Sequence, residues 1–258
     1  IYTRDILFQY YVRFCSEIMN VKSFFVVCAL LYVLPIYLAI RKWMHADNYI
    51  LFLMFVSSFS FWGAGVNGIR NGIASSLFLL AIASKRRIST FILITMAYFT
   101  HGSMLLPITL YLLTLCINKP KFYLSIWVIS IPISLLGFNS EVYFSTLFSD
   151  ERAKTYLLDQ MTFASQMSRN GFRWDFFIYS SVAVFCGYYF LIIKKFENTL
   201  YTRLYNIYIG TNAMWILVIR ASFTNRIAYL SWFMMAVIIF YPLLTYKQHA
   251  HCKVWSIE

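Results

Sequence analysis

The sequence predicts an all-α, polytopic integral membrane protein, and three observations carry that prediction. Of the 258 residues, 60% are hydrophobic and 20% aromatic, with 25 Phe and 20 Tyr, while only 12% are charged. That is too apolar for a soluble domain of this size. Apolar runs recur along the chain, each near the roughly 17–25 residues needed to cross a hydrocarbon core. Short basic clusters fall at every second junction between them: Arg41-Lys42, Lys85-Arg86-Arg87, Lys119/Lys121, Lys194-Lys195 and Lys247/Lys253. Such clusters mark the cytoplasmic face.

Residues 1–20 mix apolar and charged residues at helical spacing, with Ile6, Tyr10, Phe14 and Ile18 on one face, and predict an interfacial helix on the external surface. Apolar spans follow at about 24–40, 49–66, 69–84, 122–138, 175–193, 204–220 and 226–246. The interval 88–118 is basic at both ends and too long for one span. It reads as two short helices, about 88–100 and 104–118, in a hairpin that turns around Thr100-His101-Gly102-Ser103. At about 1.5 Å per residue each arm falls short of the bilayer core, which places the turn below the external surface, beside protein or a water-filled cavity. About nine crossings then put every basic cluster inside. The long polar segment 139–174 lies outside. Ser149-Asp150-Glu151 starts a surface-lying amphipathic helix there, with Ala153, Tyr156, Leu157, Met161 and Ala164 as its apolar stripe.

No repeat and no linker is visible, so residues 1–258 form one domain. Beginning at Ile1 with an already amphipathic stretch and no signal peptide, the chain is expected to lack an N-terminal part of the natural protein. A net charge of +12 would suggest nucleic acid in a soluble protein. Here the cations punctuate loops between spans, so membrane lipids are the expected surroundings and nucleic acid is not a partner. The five cysteines are odd in number and widely spaced, most of them inside apolar runs, and no CxxC or HxxxH occurs, which argues against a disulfide framework or a metal site. There is no nucleotide fingerprint, no Walker A sequence and no DxD-like pair to hold a metal with a sugar nucleotide. A lipid-borne donor, with no metal and no cofactor, is the expectation.

Arg70, His101, Arg152, Arg169, Arg173, Arg220 and Arg226 fall on the external face, where the topological rule predicts few cations. An anionic ligand explains charges placed against that bias, because arginine's planar fork grips phosphate oxygens in pairs. Arg70 lies in Gly68-Ile69-Arg70-Asn71-Gly72, where GxxxG spacing, continued by Ser75, Ser76 and Ala83, predicts close helix packing. Its alternative is an arginine snorkelling to headgroups. His101 stands alone in mid-chain, with His45, His249 and His251 on the cytoplasmic side. An imidazole titrates near neutrality and suits a general base; the alternative is a structural cap of the turn. Arg220 and Arg226 bracket a short external loop. Arg173 has an ion pair with Asp175, or anchoring beside Trp174, as its alternative, and Arg152 a helix pair with a neighbouring acid. Among external acids, Glu141, Asp150, Glu151, Asp159 and Asp175 are candidate carboxylate bases that loop placement marks as solvated surface. Asp5 and Glu17 enter only the external charge balance. Trp62, Tyr98, Phe172 and Trp174 are aromatics near the external surface.

Three motifs in this chain resemble the EpsG family, a branch of the Wzy-type polysaccharide polymerases. They are Gly68-Ile69-Arg70-Asn71-Gly72-Ile73-Ala74, then Phe99-Thr100-His101-Gly102-Ser103-Met104-Leu105, and Asn225-Arg226-Ile227-Ala228-Tyr229. The resemblance implies polymerisation of O-antigen or exopolysaccharide repeat units on the periplasmic or external side of a bacterial inner membrane. The donor would be a glycan on undecaprenyl diphosphate and the acceptor a hydroxyl of another lipid-linked unit, with a chain-length regulator as a possible protein partner. In that reading His101 is the general base, with hydrogen bonding to the diphosphate as its alternative role. Arg70 and Arg226 are catalytic with it and, like Arg220, clamp the diphosphate. Arg173, Arg152 and Arg169 also bind the diphosphate, and Trp62, Tyr98, Phe172 and Trp174 are placed to stack on sugar faces. A lipid-linked sugar flippase, or a membrane O-acyltransferase using His101, are the competing functions.

Overall fold

A computed structural model describes residues 5–44, 47–136, 172–220 and 225–255, and for 225–226 and 246–255 only the backbone. Every regular element among the described residues is helical. The chain packs into two compact units, residues 1–109 with 240–258, and residues 110–239.

In the first unit, α1 (Ile6–Ile18) leaves the predicted face open: Ile6, Tyr10, Phe14 and Ile18 are all exposed. Its other side packs, with Tyr11 stacked on Phe24 at 5.6 Å and its hydroxyl 3.7 Å from the Cys28 sulfur. An unpartnered apolar face on a short amphipathic helix suits the lipid interface. Asn20 caps α2 (Val21–Trp43) by accepting the Ser23 N–H at 2.9 Å, and Arg41 and Lys42 sit in its last turn, where cations complement the helix dipole.

The expected continuous span at 49–66 is broken instead. Helix α3 (Asn48–Val56) and α4 (Phe59–Trp62), which continues as a π turn to Asn67, meet at a bend of 65°. Two serines cause the break. Ser57 and Ser58 donate their hydroxyls back to Leu53 O (2.8 Å) and Phe55 O (2.6 Å), and Ser58 restarts the helix by accepting the Phe61 N–H. Apolar content alone does not register such a break.

Helix α5 (Ile69–Ala83) packs against both α2 and α6 (Arg87–Thr100). The small residues Gly72, Ser75, Ser76 and Ala83 are buried, as the packing motif predicts. Only one of the two motif glycines is sterically required. A Cβ on Gly72 would stand 2.8 Å from Ala64 O and 3.1 Å from the Tyr32 ring, whereas one on Gly68 would meet nothing closer than 3.7 Å. After Thr100 the chain passes through His101 and a 3₁₀ turn (Gly102–Met104) into α7 (Leu105–Cys116), which runs on into the second unit. The short-helix, turn, short-helix reading of 88–118 is met at its boundaries. Helix α6 finds its packing partners in α5 and α1.

The second unit is built on α10 (Thr199–Leu217), with α8 (Pro120–Leu135), α9 (Trp174–Tyr188, continued by a π turn to Ile193) and α11 (Asn225–Trp232) packed on it; α12 (Met235–Trp255) follows. Buried hydroxyls need partners in an apolar interior. Tyr201, Tyr205 and Tyr208, one helical turn apart on α10, donate to Ile238 O, Val184 O and Ser180 O at 2.7–2.8 Å. Gly187 leaves room for the Tyr205 ring. Trp127 donates to Asn212 Oδ1 at 2.8 Å, and Asn212 in turn reaches Ser231.

Three described helices are long and apolar enough to cross a membrane: Val21–Trp43, Trp174–Ile193 and Ile227–Thr245, or four if the bent pair at 48–67 counts as one span. Helices α5 to α8 are apolar but shorter. Length and composition therefore support part of the nine crossings expected. The surface helix expected at 149–164 lies outside the described residues.

Gly72→Ala is expected to cost about 1–3 kcal/mol, as overpacking against backbone does, and Gly68→Ala close to nothing. Thermal melting of the detergent-solubilised protein checks this; equal tolerance at both positions would reject the packing argument.

Candidate functional site

Two of the predicted site residues meet in the first unit, through a third that the sequence reading left out. Arg70 is the second residue of α5, where the helix dipole disfavours a cation. Its Nη1 donates to Asp5 Oδ2 at 2.7 Å. The other carboxylate oxygen, Oδ1, accepts the Gly102 N–H at 3.0 Å. His101 Nδ1 lies 3.5 Å from Oδ2, near enough for charge pairing, yet it is buried and forms no hydrogen bond. One carboxylate thus touches the start of α5 and the turn after α6 while sitting at the head of α1.

Local chemistry explains each placement. His101 ends α6 in an extended conformation, its N–H donating to Ala97 O and its carbonyl accepting the Met104 N–H. The Gly102 N–H is left to find a partner elsewhere and takes Asp5. A Cβ on Gly102 would meet nothing within 4 Å, so this glycine is not a steric requirement. Ser75 of α5 donates to the Met104 sulfur at 3.6 Å and ties the helix bearing Arg70 to the turn bearing His101. Asp5 itself has φ 56° and ψ 36°, the left-handed region, as Asp47 does at the head of α3; aspartate enters that region more readily than most residues.

The pair itself adds little stability. Arg70 is 46% exposed, and an exposed pair of this kind contributes about 0.2–1 kcal/mol. Burial pushes the Asp5 carboxyl up, but the adjacent His101, the Gly102 N–H and Arg70 together outweigh it and hold the group below its ordinary value.

The remaining candidates are dispersed. Arg173 forms a two-point pair with Asp175 (2.8 and 3.1 Å) and lies 4.1 Å from the Phe176 ring centroid, as its structural alternative required. Arg220 donates to Leu135 O at 3.0 Å, at the end of α8, where a cation is favourable. Trp62 and Tyr98 are exposed, on α4 and α6. Trp174 is exposed too and leans on Phe172 at 4.6 Å. Arg226 belongs to the first turn of α11, its side chain outside the described atoms, and Arg152 and Arg169 lie outside the described residues. Beside the Asp5 cluster runs an apolar groove of about 320 Å³ between α1 and α6, lined by Ile6, Leu7, Tyr10, Thr95, Met96 and Phe99. No group of three His, Cys, Asp or Glu that could hold a metal occurs among the described residues.

Asp5 was the residue missed. Its partners are 65 and 97 positions away, and the available signal was an acid standing directly before an amphipathic helix.

Among the described residues the elements are all helical, with three apolar helices of membrane length and a charged cluster at helix ends, which together define an integral membrane protein. The chain belongs to the EpsG family, whose pattern matches residues 2–256. That membership points to a membrane protein of the polysaccharide-polymerase type. No curated protein and no solved structure matches the chain.

Because the Asp5 carboxyl is held below its usual 3.8, its contribution to stability is complete above about pH 4 and is lost as pH falls through the depressed value. The melting-temperature gap between the protein and Asp5→Asn should accordingly close below about pH 4; a gap independent of pH would contradict the assignment.

Proposed function

We propose that this protein is a glycosyltransferase that polymerises lipid-linked oligosaccharide repeat units at the outer face of a bacterial inner membrane. The donor is a glycan on undecaprenyl diphosphate. The observation that carries the reading is the meeting of Arg70 and His101 at one carboxylate, within a chain of the EpsG family.

The acceptor sugar hydroxyl attacks the anomeric carbon of the donor, a new C–O bond forms, and the bond to the diphosphate breaks with its electron pair. The hydroxyl proton passes to His101 Nε2. Negative charge grows on the leaving diphosphate, so a cation fixed in advance lowers the barrier more than one that must reorganise. Arg70 commits one N–H to Asp5, and a guanidinium has five to offer. The apolar groove between α1 and α6 begins at Ile6 and Phe99, next in sequence to Asp5 and near His101. It suits the hydrocarbon of a lipid-borne donor. For Arg220, Arg226, Arg173, Arg152 and Arg169, contact with diphosphate is proposed from their chemistry alone, and for Trp62, Tyr98 and Trp174 contact with sugar faces.

Deleting the gene should collapse the surface-polysaccharide ladder on a gel to a single repeat. Absence of even single-repeat product would indicate a flippase instead. His101→Ala should give the same collapse at unchanged abundance in the membrane, and normal long-chain polymer would remove it from the reaction. Arg226→Lys should already be severely impaired, because a point charge does not reproduce the paired hydrogen bonds; full activity would leave it a simple anchor.

A further inference from the structure

We propose that Asp5 is a positioning residue for His101, holding the imidazole with its Nδ1 proton toward the carboxylate so that Nε2 receives the acceptor proton. The proposal rests on the reading of His101 as the base.

Three observations support it. The carboxylate's own orientation is fixed without the histidine, by the Gly102 N–H on Oδ1 and Arg70 Nη1 on Oδ2. The imidazole therefore meets a preset acceptor. Next, His101 Nδ1 is buried and makes no hydrogen bond, with Asp5 Oδ2 at 3.5 Å. A buried ring nitrogen needs a partner, and hydrogen bonds of catalytic groups are often long before substrate binds and tighten afterwards. Finally, the left-handed backbone of Asp5 at the head of α1, which aspartate tolerates better than most residues, delivers its carboxylate to the turn that carries His101. The charged or titratable groups facing Asp5 among the described residues are Arg70 from α5 and His101 from the turn after α6.

The chemical consequence follows from tautomer control. In neutral imidazole one nitrogen carries the proton and the other accepts. A carboxylate on the Nδ1 side selects the tautomer with a free Nε2 lone pair, and its negative charge then stabilises the imidazolium formed when the proton arrives. No redox step and no further reactant is needed.

The test is the rate of polymer formation against pH, with the purified full chain in lipid vesicles and a synthetic lipid-linked repeat unit. Asp5→Asn keeps the shape and can still accept the Gly102 N–H, but it lacks the charge. It should lower the maximal rate by at least about 10-fold, loss of the orienting carboxylate costing about 10⁴-fold in a Ser-His-Asp triad. It should also move the acid limb of the profile to lower pH, because the imidazolium has lost a stabilising neighbour. Asp5→Glu should keep the acid limb of the unaltered protein at a reduced rate, and it decides the matter if Asp5→Asn does not accumulate. An unchanged rate in Asp5→Asn, a slower rate with an unmoved acid limb, or an acid limb displaced in Asp5→Glu would overturn the proposal. His101→Ala, assayed alongside, separates the two failures: full activity there removes the base itself, whereas an inactive His101→Ala beside an unaffected Asp5→Asn removes only the positioning role.

Discussion

The carboxylate of Asp5 resolves three electrostatic problems at once, and the polar end of the first unit depends on it. Arg70 stands at a helix N-terminus, where the dipole opposes a cation. The Gly102 amide has been released by the end of α6. A buried imidazole nitrogen faces the same point. Without an anion, each of these would be an uncompensated cost, and the small free energy of a half-exposed ion pair gives little stability reason for assembling them. One carboxylate compensates all three at a single point.

The rest of the first unit holds that point in place. Gly72 lets α5 settle against the Tyr32 ring and the Ala64 carbonyl, which fixes the helix carrying Arg70. The Tyr32 hydroxyl donates to Phe61 O at 2.8 Å and secures the bent segment that precedes it. Ser75 and Met104 link the same helix to the turn carrying His101. In the second unit, the tyrosine hydroxyls of α10 play the corresponding part, trading buried donors for neighbouring carbonyls so that a polar-decorated helix can sit in the core.

Much of this was legible in the sequence because membranes impose simple constraints. Several helix boundaries followed from apolar run length, and Lys85, Arg86 and Lys119 fell between helices as basic punctuation predicts, with Arg87 and Lys121 in the first turns of the helices that follow. Arg70 and His101 stood out because the positive-inside rule leads one to expect few cations at those junctions. The Arg173–Asp175 pair was readable because its members are two residues apart. Other features left no local trace. Asp5 reaches its partners across 65 and 97 positions, and a single acid among external acids carries no periodicity. The bend at Ser57-Ser58 depends on hydroxyls turning back on carbonyls, which an apolar profile averages away. The role of α10 as the buried core of its unit was masked by aromatics that looked like ordinary span residues.

Determining the structure of the protein in lipid nanodiscs with a lipid-linked repeat unit bound would test the central claim most directly. The account predicts diphosphate oxygens at about 2.7–2.9 Å from the Arg70 guanidinium, with His101 Nε2 facing the acceptor hydroxyl and Asp5 on Nδ1. A substrate headgroup seated away from Asp5, Arg70 and His101 would contradict it.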